Sequence, residues 1–252
     1  MMSDIGRVRL TNEDRCFASD EMGLFIVADG MGGHVGGQIA SESAVSALVD
    51  YVSHYLQDPG ISPPYGLAMD LSGPENVLSA AVMVANRRVF ERSKRDASLS
   101  GMGTTLSVCW VRGRSAHIAH IGDSRVYLIR DGALRLLTQD HSWVYEQYRE
   151  GILSFEEARR HPMKHLVTRS VGTRRTIQAD LFSCDLQDED LILLCTDGLT
   201  SVLADEMILS TILDPAACDL REKCLILVEL ANQAGGFDNT TVVFVRVQHA
   251  DR

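Results

Sequence analysis

Four apolar, strand-like runs in this sequence carry an aspartate at one end, and this recurrence constrains the fold more than any other feature. Asp29 follows "LFIVA", Asp197 follows "LILLCT", Asp238 precedes "NTTVVFV", and Asp123 lies within "HIGDSRVY". Three of the four stand beside a glycine. If these strand ends meet, negative charge collects at one place, and like charges at close range disfavour ionisation.

The stretch "VADGMGGHVGG" at residues 27–37 surrounds Asp29 with five glycines and a histidine. One explanation is a tight turn, because glycine reaches backbone angles that other residues avoid. The other is a site where an ion or a phosphate must approach the backbone closely. At such a site the carbonyl of Gly30 would be a further oxygen ligand.

Each strand-end aspartate also has an ordinary explanation, since Asp-Gly and Asp-Asn are common turn dipeptides. If the aspartates converge, however, their charges cannot all persist without cations. Mg²⁺ and Mn²⁺ prefer carboxylate, carbonyl and water oxygens, so hard divalent ions would resolve the conflict. The six cysteines are scattered and form no Cys-x-x-Cys pair, so neither a zinc site nor a disulfide framework is expected.

Apolar periodicity predicts two sheets with helices packed outside them. Helical spacing of apolar residues marks 45–56 and 78–89. Strand-like runs occur at 23–28, 104–111, 116–121, 191–196 and 240–247. Because strands arrive in runs rather than alternating with helices, antiparallel pairing is favoured. We expect an α+β fold, a four-layer α-β-β-α sandwich with two central antiparallel sheets flanked by helices.

Two local signals refine this prediction. The Asp131-Gly132 dipeptide between two apolar runs indicates a β-hairpin. Residues 141–165 are polar and helical in character, and Ser154 and Glu157 have the spacing of a capping box. That polar, capped character suits a surface position better than the core.

Charge and composition limit the kinds of binding partner that we expect. Lys and Arg number 24 against 34 Asp and Glu, which gives a formal charge of −10 and a field that repels polyanions. Nucleic acid is therefore not an expected partner. No run approaches the roughly 18 apolar residues of a membrane span, and "MMSDIGRVRL" has no apolar signal core. We expect a cytoplasmic protein with no membrane partner.

Seven motifs occur in an order that spans nearly the whole chain. They are "IGRVRLTNED" at 5–14, "FIVADGMGGHVGG" at 25–37, "MGTT" at 102–105, "IGDSRVYLIRDG" at 121–132, "DHS" at 140–142, "LLCTDGL" at 193–199 and "GGFDNTTVVFV" at 235–245. Each motif is weak alone, but the ordered set resembles the signature of the metal-dependent serine/threonine protein phosphatases. This is the bacterial form of the PPM, or protein phosphatase 2C-like, family.

The resemblance implies one PPM-type catalytic domain over residues 1–252, with a mobile flap at 141–171 beside the active site. It also implies two tightly bound Mn²⁺ or Mg²⁺ ions, which Asp29 bridges. Asp197 and Asp238 would hold one ion, and the Gly30 carbonyl would help to hold the other. By position, Glu13 or Asp14 would complete the shell of that second ion, mostly through water.

Three further residues receive roles from the same resemblance. Arg9 matches the arginine that binds the substrate phosphate, a role that suits the planar fork of a guanidinium. Asp123 resembles the main protein ligand of a weaker third ion, although it could instead cap a turn. His34 could donate a proton to the leaving oxygen, or it could stabilise the glycine loop.

The implied activity is hydrolysis of phosphoserine and phosphothreonine in proteins by a metal-activated water, in opposition to a cognate Ser/Thr kinase. An alternative is a catalytically silent family member that acts as a signalling or binding module. The presence of Asp29, Asp197 and Asp238 favours activity. Hydrolysis of small phosphate esters is a third possibility. We expect phosphoprotein substrates and a monomeric enzyme.

Overall fold

The computed structural model describes residues 1–33, 35–60, 64, 66, 68–216 and 219–248. Its strands are β1 (Met2–Asp4), β2 (Arg15–Ser19), β3 (Leu24–Ala28), β4 (Gly30–Met31), β5 (Gly103–Thr104), β6 (Leu106–Arg112), β7 (Ser115–Ile121), β8 (Arg125–Arg130), β9 (Ala133–Leu136), β10 (Asp180–Asp185), β11 (Leu191–Cys195) and β12 (Thr240–Arg246). Its α-helices are α1 (Val35–Gln57), α2 (Gly73–Arg95), α3 (Trp143–Arg149), α4 (Phe155–Arg160), α5 (Asp197–Thr200), α6 (Asp205–Leu213) and α7 (Leu220–Gln233). A short 3₁₀ helix covers Ala97–Leu99.

Two five-stranded sheets form the centre of the molecule. One has the strand order β1-β12-β11-β8-β9 and the other β10-β7-β6-β3-β2. All the pairs within them are antiparallel. The short strands β4 and β5 pair separately, directly after β3 and before β6.

The alternation of side chains along the strands shows which face of each sheet packs against helices and which against the other sheet. In β3, Leu24 and Ile26 pack against α1 and α2, whereas Phe25 and Val27 pack between the two sheets. Successive side chains of a strand point to opposite faces, so a strand buried on both faces needs apolar residues throughout. On the far side, α6 and α7 cover the other sheet. The predicted α+β sandwich of four layers is confirmed.

The local predictions hold with one exception. The apolar stripes of 45–56 and 78–89 lie in α1 and α2 and face the core. Asp131 and Gly132 both have positive φ, at 51° and 73°, as the two-residue turn between β8 and β9 requires. The prediction of helical character over 141–165 was too broad, because α3 ends at Arg149 and α4 begins only after Ser154. Gly151, at φ 73°, turns the chain between them.

The predicted capping box is present at the start of α4. Ser154 Oγ accepts the Glu157 N–H at 3.3 Å, and Glu157 Oε2 accepts the Ser154 N–H at 2.8 Å. Both short helices, α3 and α4, lie within the predicted flap (residues 141–171). Among the residues that the structure describes, no helix is both long and apolar enough to cross a membrane.

Candidate active site

Sheet register brings three of the strand-end aspartates to one edge. In the first sheet β11 lies between β12 and β8, and Cys195 at its end pairs with Val242 on one side and Arg125 on the other. Since both neighbours run antiparallel to β11, its end lies beside their beginnings. Asp197, Asp238 and Asp123 consequently share that edge of the sheet.

Asp29 reaches the same place from the second sheet, at the end of β3. Its backbone is held from both sides, because its N–H donates to Thr105 Oγ1 at 2.8 Å and its carbonyl accepts from Thr105 N at 2.9 Å. The Thr104 hydroxyl also donates to that carbonyl, at 2.9 Å. Burial, followed by the charges of Asp14 and Asp197, raises the pKa of the Asp29 carboxyl well above its usual range.

The glycine beside Asp29 is required by a close approach of the backbone. A Cβ at Gly30 would overlap the carbonyl of Gly37 and lie 2.7 Å from the carbonyl of Glu13. A Cβ at Gly37 would in turn collide with the carboxylate of Glu13. The loop is therefore more than a flexible turn, since its glycines let the Glu13 segment pack directly on it. His34 lies outside the described residues.

Asp197 begins α5, where Thr196 is the N-cap residue. Its Oδ1 is buried without a hydrogen-bond partner among the described residues, and His165 Nδ1 of the flap lies 3.7 Å from its Oδ2. Burial opposes ionisation of Asp197, but its interactions with His165 and Asp29 outweigh burial and lower its pKa. One oxygen of this carboxylate is thus buried with no hydrogen-bond partner in the part of the chain that the structure describes.

Asp14 is the more deeply buried member of the Glu13-Asp14 pair, with 1% of its surface exposed. Its Oδ2 accepts hydroxyl hydrogen bonds from Thr196 at 2.8 Å and Thr241 at 2.6 Å. Its Oδ1 has no partner among the described residues. Burial raises the pKa of Asp14 to about 7, against the lowering effect of the two threonines.

Asp238 forms an ion pair with Arg9. Arg9 Nη2 donates to Asp238 Oδ2 at 2.7 Å, and the Arg9 side chain is 52% exposed. The hydrogen bond to Asp238 raises the pKa of the Arg9 guanidinium above its usual value. The arginine predicted to meet phosphate and an aspartate predicted to bind an ion are therefore in direct contact.

Asp123 follows Gly122 and is 8% exposed. Burial, then the charges of Asp197 and Asp140, raise the pKa of its carboxyl well above its usual range. Beside it, Arg125 holds Asp140 with a pair of hydrogen bonds, from Nε at 3.0 Å and from Nη2 at 2.8 Å. This ion pair ties the base of the flap to β8.

These groups surround a cavity of about 680 Å³. Its lining includes Arg9, Glu13, Asp29, Gly30, Asp123, Asp197 and Asp238 from the body of the protein and His165, Leu166 and Val167 from the flap. Of the sequence-predicted site residues that the structure describes, only Asp14 lies behind the cavity rather than in its lining.

A carboxylate cluster of this kind fits divalent cations. Two buried carboxylate oxygens, on Asp14 and Asp197, have no partner among the described residues, and burial, followed by the charges of neighbouring carboxylates, raises the pKa of Asp14, Asp29 and Asp123. Buried charges need a counter-charge, and hard cations prefer such oxygens. In the described ranges, no three His, Cys, Asp or Glu side chains are placed so that together they could hold an ion. Binding of an ion there would therefore require these side chains to move.

Sequence reasoning missed His165 as a site residue. It lies 32 positions before Asp197 in the chain, outside the seven motifs that carry the family resemblance. The contact arises because the flap returns over the cavity, where Trp143 N–H donates to Leu166 O and Thr168 N–H to His141 O. No local pattern in the sequence indicates that return.

Comparison with known proteins places the chain among bacterial phosphatases. A family model described as "Protein phosphatase 2C" matches residues 7–225. The chain is 37% identical to the serine/threonine phosphatase stp of Listeria monocytogenes over 246 residues, which are 96% of this chain and 93% of that protein. It is also 37% identical to the serine/threonine protein phosphatase PstP of Mycobacterium tuberculosis, covering 99% of this chain but 45% of that longer protein.

Comparison with solved structures supports the same family. The crystal structure of the M. tuberculosis serine/threonine phosphatase PstP/Ppp matches with a TM-score of 0.86 and 35% identity, covering 98% of this chain and 97% of that one. A structure of the PstP catalytic domain in complex with two manganese ions matches with a TM-score of 0.81 and 34% identity, covering 96% of this chain and 94% of that one.

Proposed function

The chain belongs to the protein phosphatase 2C family and is a protein serine/threonine phosphatase, and we propose that it works through a binuclear centre of Mn²⁺ or Mg²⁺ at the strand-end aspartates. The single observation that carries the proposal is the convergence of Asp29, Asp123, Asp197 and Asp238 on one cavity. A relative in complex with two manganese ions supports the choice of metal.

The family resemblance implies which residues would hold each ion. Asp29, which enters from the second sheet, would be shared by both ions. Asp197 and Asp238 would hold one ion, and the Gly30 carbonyl would help to hold the other. When bound, such ions supply a water of lowered pKa and neutralise phosphate oxygens.

The two remaining candidates for the second ion's shell differ in what surrounds them. Glu13 lines the cavity, whereas the Asp14 carboxylate lies behind it and accepts two threonine hydroxyls. A direct or water-mediated contact is therefore assigned to Glu13. Asp14 would hold its neighbours in place through Thr196, the N-cap residue of α5.

Arg9 would orient the substrate. Its guanidinium lies at the cavity with Asp238 on one side, and it presents several N–H donors in a fork that matches phosphate oxygens in pairs. It would hold the phosphoryl group of a phosphoserine or phosphothreonine over the carboxylate cluster. His34 stays a prediction, either as the proton donor to the leaving oxygen or as support for the glycine loop.

Asp123 would bind a third, weaker ion together with Asp197. Both carboxylates line the same cavity, and the charge of Asp197 helps to raise the pKa of the Asp123 carboxyl. We further propose a monomeric enzyme that reverses the action of a cognate Ser/Thr kinase. The single domain over 1–252, the flap at 141–171 and the cytoplasmic location stay predictions.

Phosphate release from a phosphothreonine peptide tests this proposal. Metal-stripped protein should be inactive, Mn²⁺ should restore turnover, and chelator should remove it again. A catalytically silent binding module would bind the same peptide without releasing phosphate at any Mn²⁺ concentration. Turnover in excess chelator equal to that in Mn²⁺ would reject the metal centre.

A further inference from the structure

A second cavity of about 690 Å³ lies away from the carboxylate cluster, between the C-terminal half of α2 and residues 175–177. We call it the basic groove. Its floor is apolar and consists of the half-buried side chains of Met83, Phe90 and Ile177. Its cations are Arg87, Lys94, Arg95 and Arg175. Neither the family signature nor the proposed chemistry uses these residues.

The charge of the basic groove opposes that of the whole chain. The described residues contribute four cations to its lining and one carboxylate, Glu91, while the complete chain carries −10. Glu91 is shared, since Arg87 Nε lies 2.7 Å from its Oε1 and Arg95 Nη2 lies 3.6 Å from its Oε2. An acidic partner would be repelled by most of the surface and attracted here.

The apolar floor of the groove favours a partner that carries apolar side chains as well as negative charge. Lys94 Nζ lies 5.3 Å from the centroid of the Phe90 ring, so charge and aromatic surface are presented together. A nucleic acid would bring a continuous row of phosphates onto Glu91, which stands among the cations. A peptide that alternates carboxylates with apolar side chains could pair with the arginines and also cover the floor.

The basic groove is built on the elements that hold Asp29. The buried Asn86 side chain accepts the Gly172 N–H at 2.8 Å and donates to the carbonyls of Arg174 at 3.1 Å and Arg175 at 3.3 Å. The preceding residue, Val171, exchanges two backbone hydrogen bonds with Thr104.

Thr104 in turn donates its hydroxyl to the Asp29 carbonyl. A continuous series of hydrogen bonds therefore joins the groove to the lining of the cavity. A segment bound in the groove would be held in a constant position relative to the reacting phosphate.

We propose that the basic groove is a docking site for an acidic segment that carries apolar side chains, located in the phosphoprotein substrate at a distance from its phosphorylated residue. This inference rests on the proposed phosphatase function. Docking of this kind raises the effective concentration of the phosphoresidue at the cavity without changing the chemical step. Substrate choice would then depend on two separate surfaces.

The experiment compares two substrates of the intact protein. One is a short phosphothreonine peptide, and the other is the same peptide joined through Gly/Ser linkers of several lengths to a segment of alternating Glu and Leu. We expect KM for the best-linked peptide to be about tenfold lower at low salt, with kcat unchanged. Hydrolysis of p-nitrophenyl phosphate measures the chemical step alone, because this substrate is too small to occupy the cavity and the groove at once.

Arg87→Glu/Arg175→Glu should remove the advantage of the linked peptide and leave the short peptide and p-nitrophenyl phosphate unchanged. The matched control is Arg114→Glu/Arg221→Glu, which makes the same change of net charge at exposed positions outside the groove. This control should keep the advantage. Fluorescence anisotropy of the labelled Glu/Leu segment on wild-type protein measures docking even without turnover.

The outcomes separate the two proposals. If neither peptide releases phosphate but the segment binds, the proposed function fails and the groove stands only as a binding surface for acidic segments. Equal KM values together with no binding of the segment overturn the docking site. Equal binding of a single-stranded oligonucleotide, or a dimer that the groove variant abolishes, would overturn it in favour of a general polyanion site or a second copy of this chain.

Discussion

Arg9 Nη2 lies 2.7 Å from Asp238 Oδ2, which joins the N-terminal segment to the beginning of the last strand. The two residues are 229 positions apart in the chain. The pair places a half-exposed guanidinium against a carboxylate in the lining of the cavity. An incoming phosphate would therefore meet Arg9 in an orientation that Asp238 already sets.

Arg9→Ala should raise KM for a phosphothreonine peptide more than it lowers kcat. A charge-assisted hydrogen bond contributes about 1.5 to 3 kcal/mol, so the rise in KM should be about tenfold to hundredfold. That split is typical of lost binding that is equal in ground and transition states. Steady-state kinetics measure it, with Arg9→Lys as a control that keeps the charge. An unchanged KM with a collapsed kcat would assign Arg9 to the transition state instead.

Asp29→Asn should reduce Mn²⁺-dependent turnover by about a thousandfold, equivalent to about 4 kcal/mol of barrier. Both proposed ions lose a shared anionic ligand, whereas the shape of the side chain is kept. Calorimetric Mn²⁺ titration should show the loss of tight binding alongside the loss of activity.

The same variant should be more heat-stable than wild type in chelator at pH 8. The folded pKa of Asp29 is raised, so the stability contributed by its neutral carboxyl is lost as pH rises through that pKa. An asparagine has no carboxyl group to ionise. Thermal unfolding checks this. A less stable metal-free variant would contradict the account of charge crowding.

Asp123→Ala should keep the two tightly bound ions and a near-native melting temperature but lose most of its turnover, about tenfold or more. The reason is that Asp123 lies beside Asp197 but outside the proposed binuclear pair. Calorimetry with Mn²⁺, run in parallel with activity, separates tight from weak sites. Unchanged turnover in the variant would mean that Asp123 only caps the turn after Gly122.

His120 should act as a pH-dependent element of stability. It is fully buried, its Nε2 donates to the Gln139 carbonyl at 3.0 Å, and its Nδ1 lies 2.9 Å from the Ser107 hydroxyl oxygen. Burial, then the neighbouring His141, lower its pKa to about 3. Because an unfolded histidine has a pKa of about 6.5, this contribution is complete above that pH and is lost as pH falls towards 3.

The stability difference between wild type and His120→Gln should therefore narrow by about 1.4 kcal/mol for each pH unit between about 6.5 and 5. Urea unfolding in chelator measures it, so that metal occupancy does not vary with pH. Titration of the aspartates contributes equally to both proteins and cancels in the difference. A gap that stays constant over that range would show that His120 is not held neutral by the fold.

Local pattern predicted the elements of this protein well. The apolar stripe around Leu48 and the alternation around Ile26 each lie within one element, where burial repeats with the period of the helix or the strand. The turn at Asp131-Gly132 and the capping box at Ser154 likewise depend on neighbouring residues alone. The flap was less predictable, because a single Gly151 divides its helical pattern.

The aspartates at strand ends, and hence the candidate site residues, could also be identified from the sequence. Their convergence was an inference that needed either charge reasoning or the family resemblance. The strand register is the physical cause of this convergence. Because β11 lies antiparallel between β12 and β8, Asp197, Asp238 and Asp123 lie at one edge of the sheet.

Four features belong to the three-dimensional arrangement alone: the Arg9–Asp238 pair, the burial of Asp14 rather than Glu13, the contact of His165 with Asp197, and the basic groove. Each joins segments that are far apart in the chain. The periodicity of a sequence encodes which face of each element is buried, because that depends on local backbone geometry. Which distant side chains then meet depends on strand order and on how the layers pack, and no local pattern contains that information.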